Sequence, residues 1–293
     1  MGNLPRSITD FFDVKAILAY KAPLIGTTVL ARGVDLPLGT GTVSRDQVEY
    51  PVSKAKRGYR VREVPRETAE RTPKTVTVIE HTHGFDLHKN VLAAYARMGE
   101  AALNGTDATN SGRLVAESFD DVVFNGDSNA GTKGIYSDAG LTPYAVDDGK
   151  EWNDPTGAAP DEVIVECIGE LEASQKYLGL DKKLILSPLP YNALLKRVPQ
   201  TSATYMDFVA KLFKNGVNDI YRTTALANGT GLLEYYGTEV AERNVELDIE
   251  TYAVQGGVPD KNNLIYFNVE TYQATDIHHL DAFLPITNLW DTG

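Results

Sequence analysis

Residues 45–74 form a basic, proline-punctuated segment that cannot supply a compact core by itself. The segment holds nine Lys and Arg residues against five Asp and Glu, a balance of +4 in a 293-residue chain whose net charge is −12. Val48, Tyr50 and Val52 alternate with polar residues, and a period of two is typical of extended strands. The three prolines of the segment disfavour a central position in a sheet. The pattern predicts a projecting β-hairpin; the alternative is a solvated loop with scattered charge.

Composition excludes several classes of protein. Cys167 is the only cysteine, so neither a disulfide framework nor a multi-cysteine zinc or iron–sulfur site is expected. A chain with a net charge of −12 is a poor binder of nucleic acid, because phosphate contacts need Lys and Arg. No apolar run approaches the ~18 residues of a membrane span, and the N-terminus lacks a signal-peptide pattern. We therefore expect a protein that is made in a cytoplasm and has no membrane partner.

Residues 1–44 are predicted to form an irregular N-terminal arm. Phe11, Val14, Ile17 and Leu18 make one short helical stripe, after which prolines and glycines interrupt any longer element. Such an arm buries its own apolar residues poorly. We expect it to lie on another surface, either that of its own domain or that of a neighbouring copy.

Beyond residue 74, helical and extended patterns are mixed without a βαβ rhythm, which predicts the α+β class. Apolar residues at a period of 3.6 predict three longer helices. They span Leu87–Ala102, about Asn110 to Asn125, and Pro160–Gly179. Short helices are predicted at Tyr191–Val198 and Thr204–Phe213, and strands at Thr75–Glu80, Lys183–Ser187, Asp219–Thr224, Leu232–Tyr236, Val245–Val254 and Leu264–Tyr272.

Linear motifs for enzymatic chemistry are missing from the sequence. It contains neither a phosphate-binding GxxxxGK[ST] loop nor a GxSxG nucleophile elbow. His81 and His83 would lie on one face of a strand, where two imidazoles can bind zinc or copper if His88 or a carboxylate adds a third ligand. The other interpretation is two surface histidines at the end of a strand. No catalytic, cofactor or metal residue is assigned, and a small hydrolase or metal enzyme using His81 and His83 remains an alternative.

Three segments carry a resemblance to a known family. The run Phe119–Gly126, followed by Lys133-Gly-Ile-Tyr136, is similar to the end of that family's spine helix and the loop after it. Lys183–Asn192 is similar to a strand that leads into a proline-initiated helix, and Asn263–Pro285 to a set of closing strands. With the order of arm, basic hairpin and long helix, these segments resemble the major capsid protein family of tailed bacteriophages. Encapsulin shell proteins share its fold.

The resemblance implies a phage major-capsid-like fold with four parts. Residues 1–44 would be the N-terminal arm, and residues 45–78 the extended basic β-loop. Residues 79–150 and 240–293 would together form the peripheral domain, which contains the long spine helix. Residues 151–239 would form the axial domain.

The resemblance also implies a structural function and not an enzymatic one. Many copies of the chain would assemble through hexamers and pentamers into an icosahedral head that encloses viral DNA, with only weak, non-specific contact to that DNA. The protein would be found in the virion after synthesis in the host cytoplasm. Other candidate partners are a separate scaffolding protein, a portal and a decoration protein. The alternative is an encapsulin-type shell that holds an enzyme cargo.

Opposite charges predict how neighbouring copies meet. Residues 231–293 carry eleven acids and two bases, a balance of −9 that complements the basic β-loop. The predicted contact residues between subunits are Arg45, Lys54, Lys56, Arg57, Arg60 and Arg62 on the loop and Glu239, Glu242, Glu246 and Asp248 on the acidic region. In members of the family that crosslink a loop Lys to a peripheral Asn, the matching residues would be Lys54 or Lys56 and Asn263 or Asn268; no catalytic Glu is assigned.

Overall fold

The computed structural model describes residue 4 and residues 6–21, 25–49, 70–147, 150–154, 157–173 and 176–290. Helices and mainly antiparallel strands are mixed along this part of the chain, which confirms the predicted α+β class. The helices are α1 (Arg6–Lys21), α2 (Gly26–Val29), α3 (Lys89–Met98), α4 (Thr106–Asn125), α5 (Pro160–Glu172), α6 (Pro188–Leu194) and α7 (Tyr205–Val209). The strands are β1 (Ala31–Asp35), β2 (Thr42–Glu49), β3 (Glu70–Thr77), β4 (Ile79–His88), β5 (Tyr144–Ala145), β6 (Asp181–Leu186), β7 (Ile220–Arg222), β8 (Gly231–Tyr236), β9 (Ala241–Ala253), β10 (Leu264–Ile277) and β11 (Phe283–Thr287).

A four-stranded sheet in the order β1-β9-β10-β4 carries the long helix α4 on one face. Phe119 and Val123 of α4 are buried in the core between helix and sheet. The helix stops where the sequence predicts, because Gly126 after it takes a φ of 75°, which residues with a Cβ rarely adopt. A turn separates α4 from the helical segment before it. In that turn the Asn104 side chain accepts a hydrogen bond from the Thr106 N–H at 3.1 Å.

The segment before α3 is a strand, although the sequence predicted a helix from Leu87 onward. Strand β4 runs to His88, opposite Leu264 of β10, so the neighbouring strand supplies hydrogen-bond partners up to that residue. His88 then caps α3 by accepting the Asn90 N–H at 3.2 Å. The helix itself is shorter than predicted, because the chain at Gly99 takes a φ of 64° and continues only as a 3-10 turn.

Helix α1 packs on its own subunit, but not with the predicted face. Val14 and Leu18, two of the four predicted stripe residues, are 56% and 61% exposed. The buried residues are Ile8, Phe12 and Ala16, at a spacing of four. Ile8 and Phe12 enter a small core formed with β10, and each fully buried side chain of this size contributes about 1.5–3 kcal/mol to folding. The arm prediction was therefore right that the segment needs another surface, and that surface lies within the same chain.

Two close contacts fix α1 in place. A Cβ on Gly112 of α4 would lie 2.4 Å from the Ala16 carbonyl oxygen, so the two helices cross at a point that only glycine allows. Next to the crossing, Asp13 Oδ1 accepts the Thr251 N–H of β9 at 2.9 Å. These contacts hold α1 against both α4 and strand β9 of the first sheet.

A second sheet, in the order β5-β11-β8-β6-β7, packs against α5 and α6. Strands β6, β7 and β8 lie close to where the sequence predicts them. Strand β11 was not among the strands predicted from periodicity, although the resemblance implied closing strands up to Pro285; it pairs with β8 and, in parallel, with β5.

Helix α5 begins where predicted, and Ile164, Cys167 and Leu171 of its predicted apolar stripe are buried, whereas Leu178, predicted for the same stripe, is exposed. The helix ends at Glu172 rather than at Gly179. Before β6 begins, Tyr177 OH donates a hydrogen bond to Asp281 at 2.9 Å.

Both sheets draw strands from distant parts of the chain. Strand β1, inside the predicted arm, pairs with β9 of the first sheet. Strand β11, inside the C-terminal part assigned to the peripheral domain, lies in the second sheet. The boundaries of the four predicted parts themselves stay a prediction.

Strands β2 and β3 form a separate antiparallel ribbon, from Thr42 opposite Thr77 to Glu49 opposite Glu70. This ribbon supplies the base of the predicted β-hairpin. Its pairing continues through Pro73, so β3 begins earlier than the predicted strand at Thr75. The tip of the hairpin, residues 50–69, lies outside the described residues. None of the helices in the described ranges has both the length and the apolar composition needed to cross a lipid bilayer.

Candidate functional site

The root of the β2–β3 ribbon is tied to the end of β10 through one buried carboxylate. Arg45 of β2 and Lys74 of β3 are cross-strand partners, and both reach Asp276 of β10. Arg45 Nη2 donates to Asp276 Oδ1 at 2.8 Å, while Arg45 Nε donates to Oδ2. Lys74 Nζ lies 3.5 Å from Asp276 Oδ1 and donates to the Ile277 carbonyl oxygen at 2.7 Å. The ribbon is thus anchored to its own subunit.

Asp276 remains ionised although its side chain is fully buried. Burial is the largest single influence on its pKa and raises it. The contacts with His278 and Arg45 and the positive charge of Lys74 together outweigh burial, so the pKa of Asp276 is held well below its usual range. A buried ion pair of this kind adds little net stability but makes one arrangement far better than its competitors. The pair therefore fixes where the ribbon leaves the body of the subunit.

Glu242 and His278 extend the cluster on the other side of Asp276. His278 Nε2 lies 3.5 Å from Asp276 Oδ2 and 3.8 Å from Glu242 Oε1. Glu242 Oε1 also accepts a hydrogen bond from Asn244 Nδ2 at 3.2 Å. Sequence reasoning named Glu242 but missed Asp276, Lys74 and His278. The one signal in the sequence was the two-residue spacing of Asp276 and His278 at a strand end, which places both on one side of the chain.

The other predicted contact acids bind their own chain or face solvent. Glu246 accepts hydrogen bonds from the backbone N–H groups of Gly39 at 2.5 Å and Gly41 at 3.4 Å, which holds the turn before β2. Asp248 lies 3.6 Å from Arg32. Glu239 is exposed. Their role between subunits stays a prediction.

The structure places Arg45 in a pair within its own subunit. Its side chain, 19% exposed, pairs with Asp276 of that subunit. A contact of Arg45 with a neighbouring subunit stays a prediction. The other predicted bases of the loop lie outside the described residues, and their contacts stay a prediction. These residues are Lys54, Lys56, Arg57, Arg60 and Arg62.

One face of the first sheet combines tyrosines with carboxylates; we call it the tyrosine–acid face, formed by Tyr252, Tyr266, Asp260 and Glu270. Tyr252 and Tyr266 are 37% and 41% exposed. Tyr252 OH donates to Glu270 Oε2 at 3.1 Å, and Tyr266 OH donates to Asp260 Oδ2 at 2.9 Å. Phe267, which points the opposite way from β10, is buried against α1. Exposed aromatic rings beside carboxylates suit a partner rich in Lys and Arg.

The histidines of β4 are part of the interface between sheet and helix. His81 Nδ1 lies 2.9 Å from Ser118 Oγ, and His83 Nδ1 lies 2.9 Å from Ser111 Oγ, both on α4. Burial lowers the pKa of His81 to about 4, so its imidazole is neutral at physiological pH. Among the described residues, the group that could hold a metal ion does not include either histidine. The hydrolase or metal-enzyme interpretation built on His81 and His83 is therefore not supported.

A family of proteins described as "encapsulating protein for peroxidase" matches residues 34–250, well over half of the chain. This chain belongs to the encapsulin family. The family is one of shell-forming structural proteins. The Type 1 encapsulin shell protein EncA of Myxococcus xanthus is 26% identical to this encapsulin over 182 residues, which make up 62% of this chain and 59% of that relative. The match thus spans about three fifths of the relative's length.

Solved structures confirm the fold of this encapsulin. A virus-like particle from Pyrococcus furiosus superposes with a TM-score of 0.68 at 13% identity, covering 95% of this chain and 99% of that one. The protein of Mycobacterium phage Ogopogo gives a TM-score of 0.60 at 13% identity, covering 90% and 91%. The capsid of the Myoviridae phage XM1 gives 0.59 at 13% identity, covering 89% and 90%. The predicted phage major-capsid fold is therefore confirmed.

Proposed function

We propose that this encapsulin assembles into a closed shell that encloses an enzyme cargo. The observation that carries the proposal is the family match over residues 34–250, because the family description names the encapsulation of a peroxidase. The relative from Myxococcus xanthus is itself a shell protein, and the Pyrococcus furiosus structure is a virus-like particle. These findings favour a cargo shell over the phage head that the sequence alone put first.

Assembly requires surfaces that a single copy leaves uncovered. Around the second sheet, large apolar side chains are exposed on separate elements, where a neighbouring copy would cover them. They are Val165, Leu178, Leu195, Leu212 and Val217. We assign this region to contacts around the capsomer axis. The assembly through hexamers and pentamers stays a prediction.

The second assembly contact in the proposal joins the basic β-loop of one copy to the tyrosine–acid face of the next. The loop carries a balance of +4 over residues 45–74, and the anchoring of Arg45 to Asp276 fixes its direction at the root. Tyr252 and Tyr266 offer exposed rings to Lys and Arg side chains, and Asp260 supplies a carboxylate. Glu270 is buried and accepts a hydrogen bond from Tyr252 OH. Each exposed ion pair contributes only ~0–1 kcal/mol, but a closed shell repeats the contact in every copy.

A phage head that encloses DNA is the second candidate, because phage proteins such as those of Ogopogo and XM1 share the fold. The two functions differ in what the shell protects. To distinguish them, the chain is co-expressed with the genes that lie next to its own gene. The purified particles are treated with nuclease and imaged by negative stain. Closed particles that carry a second protein and no protected nucleic acid support the cargo shell. Nuclease-protected DNA inside the particles would support the phage head, and small oligomers alone would contradict both.

A further inference from the structure

The cluster at the ribbon root has the spacing of a metal-binding site. One ligand atom from each of Glu242, Asp276 and His278 lies within 4.8 Å of the other two. The distances from His278 Nε2 to the two carboxylates are 3.5 Å and 3.8 Å. In a tetrahedral zinc site with metal–ligand bonds of ~2.0–2.2 Å, neighbouring ligand atoms are ~3.3–3.6 Å apart. The distances from His278 Nε2 are therefore close to those of such a site, and the two carboxylates lie within 4.8 Å of each other.

The surroundings of His278 Nε2 favour a bound cation. The atom is shielded from solvent and has no hydrogen-bond partner among the described residues. A bare lone pair on Nε2 would face two carboxylates, which is electrostatically unfavourable. Either a proton or a metal ion on Nε2 removes that repulsion. One neutral imidazole and two carboxylates form a donor set that zinc and similar first-row ions bind.

We propose that Glu242, Asp276 and His278 bind a divalent zinc-class ion in competition with Arg45 and Lys74. The two carboxylates would balance the charge of the ion, as Arg45 and Lys74 balance them in its absence. The side chains of Arg45 and Lys74 are 19% and 28% exposed, so both have a path to solvent when the ion takes Asp276. Metal binding and the anchoring of the ribbon are thus alternative states of the same carboxylate. This site does not depend on the proposed cargo function.

The first test measures zinc binding to the purified full chain after removal of metal with a chelator, by isothermal titration calorimetry. His278→Gln removes one of three ligands and is expected to abolish binding at this site. His279→Gln is the matched control, because the His279 ring lies against Tyr177 and outside the cluster. Its zinc affinity should equal that of wild type. Cobalt(II) gives a second readout, a visible absorption band that His278→Gln loses and His279→Gln keeps.

The second test uses the competition. Replacing both Arg45 and Lys74 with Gln removes two positive charges beside the ion, so zinc affinity should rise about tenfold or more. The same variant keeps a buried carboxylate without its partners, so zinc should also raise its melting temperature more than that of wild type. Circular dichroism confirms that each variant is folded. The melting-temperature readout keeps the test valid if the metal-free variant is only marginally stable.

Three results would overturn the proposal. The first is zinc binding that His278→Gln leaves unchanged, which would place the ion elsewhere in the chain. The second is zinc affinity that falls in the Arg45/Lys74 variant. The third is no zinc binding by either wild type or that variant, which would mean that the cluster is not a metal site.

Discussion

Arg45 on β2 holds both carboxylate oxygens of Asp276 on β10, a residue 231 positions further along the chain. The pair connects the start of an extended ribbon to β10, one of the two central strands of the first sheet. Since Asp276 is fully buried, the position of the ribbon depends on this contact, and removing one partner would leave a buried charge uncompensated.

Arg45→Met should destabilise the subunit by about 3 kcal/mol, because it leaves a buried carboxylate with less compensation. Urea unfolding measures the change. Arg71→Met is the matched control on the same ribbon, because Arg71 is exposed and lies 3.9 Å from its partner Asp46. It should change stability little. Equal effects of the two substitutions would show that the Asp276 pair is not structurally important.

Asp120 should give the subunit a pH-dependent stability. Its carboxylate accepts the backbone N–H of Gly26 at 2.9 Å and that of Ile25 at 3.3 Å, and burial raises its pKa from 3.8 to about 6 despite these bonds. A raised pKa means that the folded state binds the proton more tightly. The resulting stabilisation is complete below pH 3.8 and is lost as the pH rises through about 6.

Asp120→Asn removes this titration, so the stability of wild type relative to the variant should fall by about 2–3 kcal/mol between pH 4 and pH 7. Chemical unfolding at several pH values measures the difference. Asp276 does not interfere, because its lowered pKa makes its stabilising contribution constant above its ordinary pKa of 3.8. Parallel pH profiles of wild type and variant would contradict the prediction.

Gly112→Ala should weaken the packing of α1 on α4 and lower the stability of the subunit. The added Cβ would meet the Ala16 carbonyl oxygen at 2.4 Å, and overpacking of this kind costs about 1–3 kcal/mol. Gly169→Ala in α5 is the control, because a Cβ there meets no atom within 4 Å. The control should stabilise the subunit by about 0.5–1 kcal/mol, the ordinary helix preference of Ala over Gly. Thermal unfolding of the two variants should therefore move in opposite directions.

The sequence predicted elements whose local pattern agrees with their final surroundings. Helix α4, the start of α5 and the strands β6 and β8 have clear periodicity and clear stop signals such as Gly126. The predictions for the end of strand β4 and for the buried face of α1 were wrong for a common reason. Leu87 fits a helical stripe, and Val14 fits another, but β10 and the small core around Phe12 decide the outcome through contacts distant in sequence.

The ribbon root could not be predicted for the same reason. Arg45 and Asp276 look like ordinary members of a basic and an acidic region, and charge counting pairs them between subunits as readily as within one. The folded chain brings the end of β10 beside the first residues of the ribbon, and this arrangement makes the pair internal to one subunit. The acidic residue that matters most, Asp276, was absent from the predicted contact set.

Reversing Lys54, Lys56, Arg57 and Arg60 to Glu should block assembly and leave the subunit folded, because each attraction to the tyrosine–acid face becomes a repulsion. The matched control exchanges Lys and Arg at the same four positions, which keeps the charge. Sedimentation measures assembly, and circular dichroism checks folding. Assembly should also weaken in wild type as the Debye length falls below ~5 Å with added salt. A folded reversal variant that assembles like wild type would show that the charge of the loop is only solvated surface.

The central claim is that many copies of this chain close into a shell. Light scattering on the size-exclusion eluate of the chain expressed alone, with negative-stain images of the same fraction, tests it most directly. We expect hollow closed particles of uniform diameter and megadalton mass. Only monomers or small oligomers, across a range of salt and protein concentration, would contradict it.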